Sequence, residues 1–482
     1  MPIPESRPGR RLTILLVRPR ATYAGVLAGI PIGLALLAAV AEQKGHEVRI
    51  LDEGLEGDPD AALAAALGRG RCDIAGIGCM SVEFLGAIDA ARAIRRLSPS
   101  THIIFGGHHP TILPDQVIAD PAVDSLCIGE GEAVWSEFLD RMAAGAGLEG
   151  LEGLWFRAGG AVAHNARRSG FVDVDLTPLP AYHLLDIDRY LELDFVRFPT
   201  VYRRALQIFT SRGCPYRCIF CHDLFGKRFR GRRPESVLEE IRLLHDRYGI
   251  REFMVEDDIF NMDIGRAKRI CELIIASGMR IGLQFGNGIR VERCDEELID
   301  LMARAGTHAI ALAVESSSPR VQAIIRKNLK LDQVESVVDW SRARGIRTMG
   351  FFMLGFPGET VAEIDATIRY ACRSRFDEAL FSIATPYAGT ELHARARDAG
   401  AREESGDVRD ELEGVFRIRT DEWDTAALRR LQRKAYLKFF ASRFRFLRVL
   451  ADLRSPRLVR RYWAAFSRNF LPFSGTARSR FN

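Results

Sequence analysis

The chain has 482 residues, 47% of them hydrophobic, and a formal net charge of +5; with a mean hydropathy of −0.05 this is the profile of a soluble globular protein with a sizeable core, which excludes a largely disordered polypeptide. The length suggests two to four domains. Nine cysteines without a secretory pattern at the start fit a reducing, cytoplasmic setting in which thiols stay free or bind metal.

Residues 21–41 carry no charge, which raises a membrane-spanning helix. Gly25, Gly29, Pro31 and Gly33 interrupt the run and a strand pattern precedes it, so the spacing predicts a loop and then a buried helix beginning near Pro31. Strand patterns at 12–17, 48–51, 74–79, 103–105 and 125–128 alternate with helical patterns at 32–44, 60–67 and 84–97. Such alternation predicts βαβ units around a buried parallel sheet, with ligands at the carboxyl ends of its strands. Those ends are rich in glycine: Gly78-Cys79-Met80-Ser81, Gly106-Gly107-His108-His109-Pro110 and Gly129-Glu130-Gly131-Glu132. No Gly-x-Gly-x-x-Gly follows the first strand, which disfavours a nicotinamide-binding fold. His108 and His109 can equally be turn residues, solvated or bonded to backbone.

Residues 151–200 read as a linker with a bridging strand, punctuated by Pro178, Pro180 and Pro199. A second series follows. Strand patterns at 206–210, 252–256, 281–284, 309–314, 348–354 and 379–384 interleave with helical patterns at 236–248, 264–277, 296–305, 319–325, 334–344 and 361–374. Six βα units predict a partial barrel, whose site lies on the loops after the strands. The expected organisation is therefore residues 1–150, 151–200, 201–400 and a basic helical tail, 401–482.

Just after the first strand of the second series comes Ser211-Arg-Gly-Cys214-Pro-Tyr-Arg-Cys218-Ile-Phe220-Cys221. A four-iron cluster normally takes four cysteine thiolates, so a tight group of three leaves one iron open to another ligand. Zinc sites usually present two ligand pairs; apart from His222 no second pair is present. The remaining cysteines form no second tight group and read as small buried residues.

The cysteine loop, with Phe220 before its last cysteine, resembles that of the radical S-adenosylmethionine (SAM) enzymes. That resemblance implies a four-iron, four-sulfur cluster on Cys214, Cys218 and Cys221, with the amino and carboxylate groups of SAM on the open iron. It also implies an external one-electron reductant and a 5′-deoxyadenosyl radical that abstracts hydrogen. Glu256-Asp257-Asp258-Ile-Phe260 resembles the family's segment after the second strand, where the acids either contact cofactor or substrate or cap the next helix. Glu315-Ser316-Ser317-Ser318-Pro319 is similar to Glu-Ser-Gly-Ser-Pro, which implies SAM contacts at Glu315 and Ser316; Ser317 stands where the family often has glycine. Met353-Leu-Gly355-Phe-Pro357-Gly358-Glu359 matches another loop of the family, implying close approach of backbone to cofactor at Gly355 and Pro357.

The loops of residues 1–150 resemble, as a set, the cobalamin-binding domain that precedes many radical SAM domains. This implies cobalamin at Ser81, Gly106, Gly107, His108, Gly129, Glu130 and Gly131. The Asp-x-His-x-x-Gly motif is absent, which in this family implies cobalt without a protein histidine on its lower face. The fold expected is thus α/β, a Rossmann-like cobalamin-binding domain followed by a partial (β/α)6 barrel.

Residues 426–482 hold fifteen Lys and Arg against one acid, Asp452, a net +14 that leaves the rest of the chain at −9. Arg429, Arg433, Arg443, Arg445, Arg448, Arg457, Arg460 and Arg461 interleave with Phe439, Phe440, Phe444, Phe446, Tyr462, Trp463 and Phe466. Such a segment either packs its aromatics on the barrel or rests on an anionic membrane surface; nucleic acid is the least favoured partner. The activity expected is methylation of an unactivated carbon of a small-molecule or lipid-like substrate. The alternative is an oxidative cyclisation like that of the anaerobic magnesium-protoporphyrin monomethyl ester cyclase, which looks similar in layout. A sensor without turnover has no need of an open iron.

Overall fold

The computed structural model describes residues 9–21, 29–193, 198–222, 224–398, 402–403, 417–418 and 420–446. The chain divides into two units: Met1–Phe195 with Ser211–Pro215 and Asp223–Ser236, and Val196–Thr210 with Tyr216–His222 and Val237–Asn482.

The first unit is built on β1 (Thr13–Arg18), β2 (Glu47–Asp52), β3 (Ile74–Gly78), β4 (His102–Gly106), β5 (Ser125–Cys127), β6 (Leu154–Ala158) and β7 (Ala161–His164). They form one sheet in the order β2-β1-β3-β4-β5-β6-β7, parallel through β5 and antiparallel beyond it. The aliphatic residues of β1, β3, β4 and β5 are buried, as in a parallel sheet covered on both faces, while β2, at the edge, is buried only in part. The expected helix after Pro31 spans Ile32–Gln43, and no helix among the described residues is long and apolar enough to cross a membrane. A helix that the sequence pattern did not suggest, Gly131–Ala144, packs on it through a core containing Leu34, Ala38, Val134, Trp135 and Phe138.

Residues 151–200, expected as a linker with a bridging strand, supply the β6–β7 hairpin. Its two-residue turn is Gly159-Gly160, with φ of 57° and 88°, the backbone that a tight hairpin between right-twisted strands needs.

The second unit begins with β8 (Ala205–Ile208). The chain then contributes a short antiparallel pair to the first unit, β9 (Ser211–Arg212) with β10 (Arg230–Gly231). It continues in the second unit as β11 (Glu252–Val255), β12 (Gly282–Ile289), β13 (Thr307–Glu315), β14 (Arg347–Leu354) and β15 (Glu378–Ile383). Strand order β15-β14-β13-β12-β11-β8, parallel throughout, makes the expected six-stranded partial barrel.

An open barrel has an edge, and an unpaired edge strand invites association with other chains. Helix Thr425–Ala441 covers the edge at β15: the Phe381 N–H donates to the Tyr436 hydroxyl (3.1 Å), and the Phe381 carbonyl accepts from the Gln432 amide (2.7 Å). Leu428, Ala435 and Phe439 of this helix are fully buried. Arg445, just beyond it, stacks its guanidinium 4.0 Å over the Phe439 ring and donates to the carbonyls of Ser374 (2.6 Å) and Phe376 (2.9 Å). This first part of the basic tail therefore packs on the barrel. Arg448, Arg457, Arg460, Arg461, Tyr462, Trp463 and Phe466 lie outside the described residues.

Candidate functional site

The cysteine loop owes its shape to its small and apolar residues. Gly213 is left-handed (φ 78°), and a Cβ there would collide with the Arg228 carbonyl. Between the second and third cysteines, Ile219 is buried with Val321, Ile325, Phe356 and Leu392. Its N–H donates to the Ile325 carbonyl (3.3 Å) and its own carbonyl accepts from Leu392 (2.8 Å). Phe220 packs on the same cluster, its ring 5.7 Å from that of Phe356. With this side of the loop anchored, the Cys221 N–H closes a turn onto the Cys218 carbonyl at 3.2 Å. Cys218 is buried, Cys221 exposed and Cys214 half-buried. The neighbouring Cys221 thiol, followed by the charges of Lys327 and Arg290, lowers the Cys218 thiol despite its burial. That shift favours the thiolate, the form in which cysteine binds metal.

The charges of Arg290 (after β12), Glu315 (end of β13) and Lys327 (before helix Leu331–Ala343) act on these thiols. Glu315, the last residue of β13, is buried and left-handed (φ 66°). Its carboxylate lies 3.1 Å from the buried Lys327 ammonium. Lys327 itself stands between two further left-handed residues, Arg326 (φ 56°) and Asn328 (φ 54°). Gln322 braces the arrangement by donating to the Val314 carbonyl (2.8 Å) and accepting from Leu329 N–H (3.2 Å). Ser316 and Ser317 are pinned to Thr367 Oγ1 at 3.2 and 3.0 Å. The left-handed turn that a glycine usually serves falls on Glu315, so Ser317 is accommodated without strain. Sequence reasoning singled out Glu315 but not Lys327 or Arg290.

Asp257 is buried and accepts from both the N–H and the hydroxyl of Thr210, each at 2.6 Å, which ties the end of β8 to the end of β11. Asp258 is exposed, and the acid that caps the next helix is Asp263. In the loop after β14, Gly355 is left-handed (φ 87°), and the space a Cβ would take is filled by Leu428 at 2.5 Å. Its glycine thus admits a side chain of the C-terminal helix. Pro357 is half-buried beside it. Glu359 holds the loop by accepting from the N–H groups of Gly355 (2.7 Å) and Phe356 (3.1 Å); burial raises its carboxyl to about 7.

In the first unit, the ends of β3 and β4 close on each other at Gly107 (φ 102°), where a Cβ would lie 3.0 Å from the Cys79 carbonyl. Thr111 links the next loop, donating to the Gly107 carbonyl (2.7 Å) and accepting from Gly129 N–H (3.0 Å). A Cβ on Gly129 (φ 90°) would meet nothing within 4 Å; Gly106 and Gly131 flank it in the loops. His108 is half-buried. His109 is fully buried against the Phe84 ring (4.3 Å) with Nδ1 3.1 Å from Ser81 Oγ; burial lowers its pKa to about 4 and keeps it neutral. Glu130, expected to face cobalamin, is instead engaged in ion pairs: its oxygens lie 2.6 and 2.8 Å from the Arg230 guanidinium and it accepts from Val172 N–H (3.1 Å). Glu132 pairs with Arg212 at 2.6 Å. These buried pairs fasten β9, the strand leading into Cys214, to the carboxyl end of β5.

A parallel α/β unit with glycine-rich strand ends and a six-stranded parallel barrel with a three-cysteine loop after its first strand define the class of cobalamin-dependent radical enzymes. The comparisons agree. The model of the radical SAM superfamily matches residues 208–371 and that of the B12-binding domain residues 25–139. The chain is 34% identical to an uncharacterized methyltransferase of Pyrococcus horikoshii over 367 residues, 76% of this chain and 78% of that one. It is 30% identical to the cytidylyl-2-hydroxyethylphosphonate methyltransferase of Streptomyces wedmorensis, covering 78% of each. Among solved structures, the radical SAM methyltransferase TsrM from Kitasatospora setae, with cobalamin and a [4Fe-4S] cluster bound, has the same fold, with a TM-score of 0.67 at 22% identity over 82% of this chain and 76% of that one. The chain belongs to the cobalamin-binding radical SAM methyltransferase family, and its cofactors are a [4Fe-4S] cluster, SAM and cobalamin.

Proposed function

We propose that this enzyme methylates an unactivated carbon of a small-molecule or lipid-like substrate, with Cys214, Cys218 and Cys221 as cluster ligands. The carrying observation is the Cys218–Cys221 thiol pair held beside the buried cations Lys327 and Arg290. Cys214, Cys218 and Cys221 would hold the cluster, which would supply the electron for reductive cleavage of SAM, and cobalamin would supply a methyl carrier. The chain's own residues prepare for this. The charges of Lys327 and Arg290 favour the deprotonated form of Cys218 that iron binding requires. Glu315, fixed by Lys327, offers a carboxylate to the amino or ribose groups of SAM, and Ser316 holds that loop in register. Asp257, through Thr210, fixes the strand that leads to the cysteines. Gly106, Gly107, Gly129 and Gly131, with Ser81 and His108, would form the loops that hold cobalamin. An external one-electron reductant is required.

The test is anaerobic reconstitution, reduction and assay of candidate substrates for 5′-deoxyadenosine and S-adenosylhomocysteine. Methylation at an unactivated carbon yields both products; 5′-deoxyadenosine alone would point to cyclisation or rearrangement instead.

We also propose that the tail beyond Phe446, with eight Arg and one acid, attaches the enzyme to the inner face of the membrane. Each basic residue near an anionic surface contributes on the order of 1 kcal/mol. A truncation after Phe446 keeps the packed helix and should lose salt-sensitive co-sedimentation with anionic vesicles; equal sedimentation of both proteins would refute attachment.

A further inference from the structure

Arg290 is the first residue after β12, and Asn261 clamps its backbone: Asn261 Oδ1 accepts from the Arg290 N–H (2.9 Å) and Asn261 Nδ2 donates to the Arg290 carbonyl (2.8 Å). The side chain is as firmly seated. Its guanidinium lies 3.7 Å from the centre of the Tyr216 ring, on the cysteine loop two residues before Cys218. Nη2 donates to the Lys327 carbonyl (2.9 Å) and pairs with Glu292 (2.9 Å). The side chain is only 11% exposed, and its Nε–H is buried without a hydrogen-bond partner among the described residues.

A buried N–H of a charged group left unpaired costs stability, and a guanidinium cannot escape that cost by losing its proton. The acceptor chemistry on the loop against which it stacks is sulfur: Cys214 and Cys218 each lie two residues from Tyr216. Clamped backbone, stacked plane and an orphaned donor together describe a group waiting for an anion on the cysteine loop.

We propose that Arg290 tunes the cluster, donating from its guanidinium to cluster sulfur and raising the reduction potential through its buried charge. The inference rests on the reading of Cys214, Cys218 and Cys221 as cluster ligands. Hydrogen bonds to sulfur and local charge are among the protein's means of setting such potentials. A cation favours the reduced, more negative cluster, so its removal makes reduction harder. Removing it also leaves the Glu292 carboxylate uncompensated, which acts in the same direction. Arg290 is thereby assigned to the ease of electron entry, a step that precedes any contact with the methyl acceptor.

The experiment is a redox titration of the reconstituted full-length protein, without SAM, followed by the electron paramagnetic resonance signal of the reduced cluster. Wild type, Arg290→Gln, Arg290→Lys and Tyr216→Leu are compared at matched iron and sulfide content. Arg290→Gln should have a more negative midpoint potential than wild type, with Arg290→Lys between them and Tyr216→Leu displaced the same way, because its guanidinium loses its seat. Should Arg290→Gln fail to take up iron, the other two variants decide the matter. Wild-type potentials in the variants that assemble a cluster would overturn the proposal, and a purely structural role would lower thermal stability without moving the potential. If wild type itself assembles no cluster, the reading of the cysteines falls instead.

Discussion

Lys327 and Glu315 form an ion pair with its atoms 3.1 Å apart and both side chains 7% exposed, joining two loops whose residues adopt left-handed backbone. Glu315, Arg326 and Asn328 are three of the four non-glycine residues with positive φ among the described residues. Conformations of this kind cost on the order of 1–3 kcal/mol each and persist where the surroundings enforce them, often at ligand sites.

Removing one partner of a buried pair leaves the other charge uncompensated. Lys327→Met should therefore destabilise the protein by about 3–5 kcal/mol, measured by denaturant unfolding, while Lys327→Met combined with Glu315→Leu should recover much of that loss. A single variant as stable as wild type would show that the pair does not hold these loops.

Glu130 was expected to serve cobalamin, but both of its oxygens are occupied by Arg230. Glu130→Gln is predicted to lower Tm and the iron content after reconstitution while leaving the affinity for cobalamin within about twofold, since its carboxylate orders β9 and β10. A large loss of cobalamin affinity in a protein with unchanged Tm would return Glu130 to the cofactor.

Glu359 gives a pH signature. Burial raises its carboxyl from 4.5 to about 7. Between those values the folded chain holds a proton that the unfolded chain has released, so this group's contribution falls as pH rises through the window, by at most about 3 kcal/mol. Glu359→Gln cannot ionise. Its Tm should consequently decline less than that of wild type between pH 5 and pH 7; an equal decline would mean that the wild-type carboxyl titrates normally.

The strands and helices of both units were legible because their aliphatic runs are bounded by turn residues, and the cysteine spacing marked the loop that carries the thiols. Helix Gly131–Ala144 was not, since Gly129 and Gly131 read as a loop and mask the apolar face of Val134, Trp135 and Phe138. The β6–β7 hairpin falls in the segment that reads as a linker with a bridging strand. At the site, Glu315 was visible through its motif, whereas Lys327 and Arg290 look like ordinary solvated cations until tertiary structure buries them. The role of Gly355 also needed the fold, because Leu428, which occupies the space beside it, is 73 residues away. Burial and long-range pairing have no local signature in sequence.

The central claim is that Cys214, Cys218 and Cys221 together hold the cluster that cleaves SAM. Its most direct test is 5′-deoxyadenosine formation by anaerobically reconstituted, dithionite-reduced protein, in wild type and in each Cys→Ala variant. Wild type should bind about four irons and form 5′-deoxyadenosine, and each of Cys214→Ala, Cys218→Ala and Cys221→Ala should form none above background; cleavage of SAM at the wild-type rate by any of the three would contradict the assignment.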